Sequence, residues 1–289
     1  MHTWKKDIVS WRCGNALYIS VPFTWLLQDA EELARKHKSC RIIAGGPAVA
    51  LMGAPWANET PASCEFDVLS MHNPCATYTT RGCPNKCGFC AVPRLEGEFK
   101  ELPTWKHAPV ICDNNLLAAS AAHFAKVIES LRAFRSCDFN QGLDARLFTP
   151  SHASMIASLR APIVRFSLDY AAEEQAVADA IKTCSSAGLP VSNVRVNVLI
   201  GFNDTPADAL SRCQAVVKLG AMPCPMRFQP LDALQRNAYV APGWTAAELR
   251  KMTRYFWKSR FLKNVPYEDF NADDGHSLFP MHPVAEALE

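Results

Sequence analysis

Three cysteines lie close together near residue 85. The run CPNKCGFC (residues 83–90) separates their thiols by three and then by two residues. A four-iron cluster that protein ligands hold completely uses four cysteines. Three thiolates on one loop would leave one iron without a protein ligand, and an open coordination position is typical of a reactive metal site. The spacing therefore predicts an iron–sulfur cluster that takes part in chemistry.

Zinc is the alternative metal for such a loop. Structural zinc sites use four ligands, usually as two pairs of cysteine or histidine at short spacing. The nearest further ligands, Cys75, Cys112, His72 and His107, are all single residues. Because none of them belongs to a second pair, the spacing favours iron–sulfur over zinc. Disulfide pairing is not expected, since the N-terminus does not resemble a signal peptide.

The run TRGCPNKCGFC (residues 80–90) resembles the cluster loop of the radical SAM superfamily. The resemblance implies that Cys83, Cys87 and Cys90 hold a [4Fe-4S] cluster whose open iron binds S-adenosylmethionine (SAM). It also implies an external one-electron reductant of the flavodoxin or ferredoxin type. SAM would then be cleaved to a 5′-deoxyadenosyl radical, which abstracts hydrogen from the substrate. Phe89, just before the last cysteine, is expected near the adenine.

The composition agrees with an ordinary globular enzyme. The 289 residues are 49% hydrophobic and 20% charged, and the formal net charge of +2 does not by itself indicate a nucleic-acid-binding protein. No apolar run is long enough to predict a membrane span, so we expect no membrane partner and a cytoplasmic location, the host cytoplasm if a phage encodes the chain. Nine of the twelve cysteines are scattered without pair spacing, as is typical of buried thiols in a reducing compartment.

From the cysteine loop onward, short apolar strands alternate with helical segments at intervals of about thirty residues, the length of one βα unit. The predicted strands are Ala76–Thr80, Pro109–Cys112, Cys137–Gly142, Ile163–Leu168, Val194–Ile200 and Met226–Gln229. The predicted helices between them are Leu116–Phe134, Ser151–Leu159, Ala171–Ala187 and Thr205–Leu219. Six such units predict an α/β fold with a parallel sheet curled into a partial (β/α)6 barrel, which is also the core fold of the radical SAM family.

The barrel is expected to span residues 76–236, between a short α/β segment (1–75) and a helical extension (237–289). In the first segment we expect strand Leu17–Val21, helix Trp25–Lys36 and strand Arg41–Gly45. The turn that follows, at Gly46, resembles the end of the cobalamin-binding domain of some radical SAM proteins. The Asp-x-His-x-x-Gly signature of that domain is absent from the sequence, so we expect a remnant of it or a packing subdomain and not a cofactor domain.

Polar residues follow the predicted strands, and barrel enzymes place their chemistry at the carboxyl ends of strands. Asn114 stands where many family members carry a Gly-Gly-Glu run, and Gly201 lies in a run that resembles the adenine-binding motif of the fifth strand. The candidates for contact with SAM are Phe89, Asn114, Gln141, Ser167, Asn197, Gly201 and Phe228. The candidates for contact with substrate are Asp144, Arg146, Asp169, Arg195 and Gln229. Taken singly, many of them fit turns, caps or surface charges equally well.

The extension contains a basic segment. A predicted helix over Thr245–Asn264 carries Arg250, Arg254 and Lys258 at a spacing of four residues, with aromatic residues between the charges. Such a stripe suits a phosphate backbone and stacked bases. The alternative, a solvated face of an ordinary amphipathic helix, is the one that we favour.

The sequence from the third strand onward resembles a compact radical SAM branch that phages often carry. That resemblance implies a nucleobase adduct as substrate, as in thymine hypermodification of DNA, with an isomerase or transferase reaction and DNA or a modified nucleotide as partner. A methylthiotransferase acting on tRNA is the enzymatic alternative, and its second cluster would draw on Cys13, Cys40, Cys64 and Cys75. An alternative of another class is a non-enzymatic iron–sulfur or zinc protein that binds nucleic acid.

Overall fold

The structure is a computed structural model, and it describes residues 4–62, 65–258 and 265–272. The backbone divides into two compact units. The smaller unit contains Met1–Ala76, Lys86–Gly97 and Gln229–Tyr239, and the larger contains Thr77–Asn85, Glu98–Phe228 and Val240–Glu289. The three-part division expected from the sequence stays a prediction.

A three-stranded sheet forms the centre of the smaller unit. Its strands are β1 (Val9–Cys13), β2 (Ala16–Ser20) and β3 (Arg41–Gly45), in the order β1-β2-β3. Strand β1 pairs antiparallel with β2, and β2 pairs parallel with β3. The helices of this unit are α1 (Leu27–Lys36), α2 (Pro47–Met52), α3 (Val68–His72) and α4 (Val92–Leu95). The apolar faces of β2, β3 and α1 form its core.

The sequence predicted β2, α1 and β3 but missed β1. The two residues between β1 and β2 are Gly14 and Asn15, and Gly14 has a φ of +56°. A two-residue turn with positive φ joins antiparallel strands into a hairpin, so this dipeptide was the signal for the missing strand.

The turn after β3 depends on a close approach between two backbones. A Cβ added to Gly46 would lie 2.7 Å from the carbonyl oxygen of Val21, and the residue has a φ of +96°. The Ala48 N–H donates to the same carbonyl at 3.1 Å. Glycine is therefore required here for packing within the smaller unit.

The remaining strands and helices belong to the larger unit, except that Ala76, the first residue of the first of these strands, belongs to the smaller one. The strands are β4 (Ala76–Thr77), β5 (Thr80–Arg81), β6 (Lys100–Glu101), β7 (Val110–Ile111), β8 (Cys137–Phe139), β9 (Pro162–Ser167), β10 (Val194–Ile200) and β11 (Met222–Arg227). The helices are α5 (Ala121–Leu131), α6 (Pro150–Ala157), α7 (Glu174–Ser186), α8 (Pro206–Lys218) and α9 (Ala246–Lys258). Six of the strands form one sheet in the order β11-β10-β9-β8-β7-β4, and every pairing from β7 to β11 is parallel.

A sheet whose neighbours follow chain order, with helices between the strands, confirms the α/β class. The curl into a partial barrel stays a prediction. The last predicted strand, Met226–Gln229, is wrong in its bounds, because β11 begins four residues earlier and contains Pro223 and Pro225. Because the two prolines are two residues apart, both missing N–H groups fall on the same edge of the strand. Strand β11 is an edge strand of this sheet, where such a loss is tolerated.

Caps at the helix starts agree with the sequence. The hydroxyl of Thr205 accepts from the Asp208 N–H at 3.2 Å, and Asp208 accepts in return from the Thr205 N–H at 3.1 Å. Thr149 and His152 form a second capping box at α6. Both helices begin with proline, which is preorganised for the first helical position. In the part of the chain that the structure describes, no helix has the length and apolarity needed to span a membrane.

The two faces of the six-stranded sheet differ in polarity. Along β10 every second side chain is buried, and these residues are Val194, Val196, Val198 and Ile200. The alternate positions, Arg195, Asn197 and Leu199, are only partly buried and lie on the opposite face. Register places Arg195 beside Arg165 of β9, and Asn197 beside Ser167. We call the face that carries these residues the polar face.

Candidate active site

The cysteine loop follows β4 and β5. Cys83 belongs to the larger unit, whereas Cys87 and Cys90 belong to the smaller one, and all three are partly exposed. The Cys90 N–H donates to the Cys87 carbonyl at 3.0 Å, which closes a turn between the last two cysteines. None of the eleven described cysteines forms a disulfide.

The other described cysteines differ from those of the loop. Six of them are buried: Cys40, Cys112, Cys137, Cys184, Cys213 and Cys224. Burial raises the pKa of Cys112, and likewise of Cys184, to about 12. Since a metal binds the thiolate and not the thiol, such residues act as small apolar groups at neutral pH.

The donor chemistry of the loop fits an iron–sulfur cluster, because it presents three accessible, soft thiols within eight residues. Among the described residues, no group of three or more His, Cys, Asp or Glu side chains is close enough to hold one metal ion. In a four-iron cube each thiolate binds a different iron, so a cluster does not require the three sulfurs to meet at a single ion.

A buried carboxylate fixes the stem of the loop. Asp113, at the end of β7, accepts from the Thr79 N–H at 2.6 Å, from the Thr80 N–H at 3.0 Å and from the Thr79 hydroxyl. Burial raises the pKa of Asp113, although these hydrogen bonds oppose the shift. The carboxylate holds the two residues that lead into Arg81 and the first cysteine.

A second carboxylate reaches the loop itself. Asp144 follows β8, and its Oδ2 accepts from Asn85 Nδ2 at 3.1 Å and from Asn115 Nδ2 at 3.4 Å. Arg146 forms a fork with the same carboxylate through Nε at 2.8 Å and Nη2 at 2.7 Å. Burial alone would raise the pKa of Asp144, but the hydrogen bonds from Arg146 and Asn85 lower it below its usual value.

Two predicted SAM contacts meet at a glycine that the sequence did not single out. Gly142 has a φ of +99°, and a Cβ built there would lie 3.5 Å from Ser167 Oγ and 3.9 Å from Asn197 Nδ2. The space beside this glycine is therefore bordered by two polar side chains of the polar face. A glycine three residues after the end of β8 was the available sequence signal.

The end of β7 contains two buried polar atoms without a hydrogen-bond partner among the described residues, Asn114 Nδ2 and Asn115 Oδ1. Buried polar groups are normally paired, so each such atom calls for an explanation. A bound polar ligand at the strand ends would supply the missing partners.

The polar face also carries a buried ion pair. Arg165 donates to Asp138 through Nε at 2.8 Å and Nη2 at 2.6 Å, and both side chains are almost completely buried. Asp138 lies one strand away in β8, at a position that the sequence did not single out. Asp138 neutralises the charge of the Arg165 guanidinium. We therefore regard Arg165 as a structural residue, beside the candidate residue Arg195.

At the end of β9, Asp169 lies in an acidic environment. Burial raises its pKa to about 6, and the negative charge of Glu173 adds to this effect. Glu173 accepts from the Asp169 N–H at 2.9 Å, and Arg146 lies 4.0 Å from the same carboxylate. A carboxyl group with a pKa near 6 can hold or release a proton close to neutral pH.

Arg212 of α8 fixes the ends of β9 and β10. Its Nη1 donates to the carbonyls of Leu168, Asp169 and Leu199 at 2.9–3.0 Å, and its Nη2 binds Asp204. Asp204 in turn accepts from the Gly201 N–H at 2.9 Å. These contacts are structural, and they hold the strand ends that carry the candidate residues.

Gly201 has a φ of +77°, and a Cβ there would lie 3.3 Å from Leu249 Cδ2 of α9. Packing against that helix accounts for the glycine, so the predicted adenine contact stays a prediction. Phe228 packs against Phe202, with ring centroids 4.7 Å apart.

Comparison with known proteins supplies a fold relative. No protein-family model and no curated protein matches the sequence. A solved structure that matches is that of TsrM from Kitasatospora setae, a radical S-adenosylmethionine methyltransferase with tryptophan substrate and the SAM analogue aza-SAM bound. The TM-score is 0.55 at 11% identity, over 75% of this chain and 62% of that one. The chain shares the fold of a radical SAM methyltransferase.

Among the predicted site residues, the structure brings together Ser167 and Asn197, and it links Arg146 to Asp144. It does not gather all of them. Gln141 is exposed, Phe89 is half-buried in the smaller unit, and Gln229 accepts from the Asn237 N–H at 2.9 Å within a loop of that unit. Sequence reasoning missed Asn85, whose position between two cysteines was the only signal.

The basic helix α9 contacts its own chain. Arg254 donates to the Ala272 carbonyl at 2.6 Å, and Lys251 donates to the Glu268 carbonyl at 3.0 Å while lying over the ring of Tyr267. The predicted continuation of this helix over residues 259–264, and Cys64 as a further cluster ligand, lie outside the described residues.

Proposed function

We propose that the protein is a radical SAM enzyme. The observation that carries this proposal is the loop of Cys83, Cys87 and Cys90, which follows the first strand of the six-stranded sheet in a chain with the fold of a radical SAM methyltransferase. The three thiolates would hold a [4Fe-4S] cluster. When bound, the cluster and SAM supply a 5′-deoxyadenosyl radical, which takes hydrogen from the substrate.

The chain's own residues would orient SAM and substrate. Ser167 and Asn197, beside the side-chain-free Gly142, offer a hydroxyl and an amide to a polar ligand. Asn114 offers a buried amide nitrogen with no partner among the described residues. We assign these residues to SAM binding. Asp169, with its raised pKa, is positioned to hold or release a proton on the substrate.

For the substrate we propose a modified nucleobase, with an isomerase or transferase reaction of the phage thymine-hypermodification type. The likeness of the sequence from the third strand onward to phage radical SAM proteins supports this choice. The basic residues of α9 add weak support, because Lys251 and Arg254 already bind the chain's own carbonyls. Since TsrM was solved with tryptophan as substrate, the substrate screen should include tryptophan as well as modified nucleosides and DNA.

The test is anaerobic reconstitution with iron and sulfide, followed by dithionite, SAM and an assay for 5′-deoxyadenosine. We expect about four irons per chain, and 5′-deoxyadenosine formation that is lost in Cys83→Ala, Cys87→Ala and Cys90→Ala. Cys13→Ala, which changes an exposed cysteine outside the loop, is the matched control and should behave as the parent does.

About eight irons would instead favour a methylthiotransferase with a second cluster. Bound zinc without cleavage of SAM would overturn the proposal and leave a metal-stabilised binding protein.

A further inference from the structure

Donors of the chain itself occupy the hydrogen-bond acceptor sites of the Asp144 carboxylate. Its Oδ1 accepts from the Arg146 backbone N–H at 3.1 Å and from Arg146 Nε at 2.8 Å. Its Oδ2 accepts from Arg146 Nη2, Asn85 Nδ2 and Asn115 Nδ2 at 2.7, 3.1 and 3.4 Å. A carboxylate offers about four lone-pair sites. No acceptor site therefore remains for a substrate, although the sequence placed Asp144 among the substrate contacts.

The partners of this carboxylate come from three separate segments. Asn85 lies inside the cysteine loop, two residues after Cys83, while Asn115 follows β7 and Arg146 follows β8. Only 10% of the Asp144 side chain is exposed, so water competes little for its oxygens. Its hydrogen bonds are charge-assisted, and such bonds are shorter and stronger than neutral ones.

We propose that Asp144 is a positioning residue which fixes the cysteine loop through Asn85. The fork from Arg146 orients the carboxylate, and the carboxylate orients the amide between Cys83 and Cys87. Asp113 holds the stem of the loop at Thr79 and Thr80, so the loop is held at two points by two carboxylates. We call the hydrogen bond between Asn85 and Asp144 the tether. Its effect on an iron–sulfur cluster rests on the proposed function, whereas the tether itself does not.

The first test uses the protein without a cluster. In Asp144→Asn the side chain loses its negative charge, and its NH2 group replaces an oxygen that had accepted hydrogen bonds, so donor would face donor. In Asn85→Ala the loop side of the tether is gone. Loss of a hydrogen bond to a charged group should raise the alkylation rate of Cys83 by iodoacetamide about tenfold in each variant. The double variant should show no larger increase in the Cys83 alkylation rate than either single variant, because both changes remove the same contact.

Two references make the measurement specific. Alkylation of the exposed Cys13, read by mass spectrometry in the same sample, corrects for reagent, and alkylation of the buried Cys184 detects global unfolding. Asp179→Asn alters an exposed carboxylate that binds a neighbouring glutamine and lysine on α7, and it should leave the Cys83 rate unchanged. Cys83 rates within twofold of the parent in both loop variants would overturn the proposal.

The second test uses the reconstituted protein. We expect Asp144→Asn and Asn85→Ala to shift the electron paramagnetic resonance spectrum of the reduced cluster. Asp144→Glu keeps a carboxylate, and its spectrum should lie closer to that of the parent than the Asp144→Asn spectrum does. Spectra identical to the parent's in both variants would overturn the inference while the proposed function stands. If the parent binds no cluster but the alkylation difference is found, the proposed function fails and the tether stands.

Discussion

Replacing Arg165 with methionine would leave the carboxylate of Asp138 buried without its cation. The two side chains form a fork with N···O distances of 2.8 and 2.6 Å, and they are 8% and 3% exposed. Methionine keeps the unbranched shape and similar bulk, so little cavity results. Removing one partner of a buried ion pair typically costs about 3–5 kcal/mol, because the remaining charge loses both water and its counterion. We expect a loss of this size in the free energy of unfolding.

Urea unfolding at neutral pH, followed by circular dichroism, measures this loss. The matched control is Lys182→Met, which breaks an exposed pair with Asp179 at 3.6 Å and should change stability by less than about 1 kcal/mol. The double variant Asp138→Asn with Arg165→Met should recover much of the loss, since neither charge remains buried.

A loss below about 1 kcal/mol for Arg165→Met would refute the reasoning, because the pair would then contribute no more than a surface ion pair. A double variant that is as unstable as Arg165→Met alone would show that the lost packing, and not the isolated charge, is responsible.

Three further predictions concern single residues. Folding raises the pKa of Asp169 from 3.8 to about 6, so between these values the folded chain holds a proton that the unfolded chain has released. Relative to Asp169→Asn, stability should therefore fall by roughly 2 kcal/mol as the pH rises from 4 to 6, in thermal or urea unfolding across this range. Equal pH dependence in both proteins would contradict this. Gly142→Ala and Gly243→Ala share a positive φ and should each cost about 1–2 kcal/mol. By calorimetry, only Gly142→Ala should weaken SAM binding, about tenfold, because its methyl group lies beside Ser167. In urea unfolding, Gly46→Ala should lower the free energy of unfolding by at least about 3 kcal/mol more than Gly53→Ala. The reason is that a Cβ at Gly46 meets the Val21 backbone at 2.7 Å, while the space at Gly53 is open. Similar losses in the two variants would show that the backbone relaxes.

Local signals accounted for much of the fold. The apolar segment Val194–Ile200 predicted β10 with its bounds, and Thr205 followed by proline predicted the start of α8. These features depend on residues close in sequence, where the period of apolar side chains and the chemistry of caps are decisive. The hairpin turn at Gly14 had the same kind of signal and was overlooked. The prolines of β11 hid a real strand, because only its place at the sheet edge makes them tolerable.

The candidate site divides in the same way. The three cysteines and their spacing were sufficient to predict a cluster loop, since the ligands lie within one short segment. The contact of Asp144 with the cysteine loop and that of Asp138 with Arg165 were not predictable, because the two partners in each contact lie far apart along the chain. Asn85 is 59 residues from Asp144, and Arg165 is 27 residues from Asp138. By itself the sequence determined which groups could bind a metal. Only the tertiary structure decided which carboxylates have their lone pairs taken by the chain, because hydrogen bonding depends on distances that folding sets.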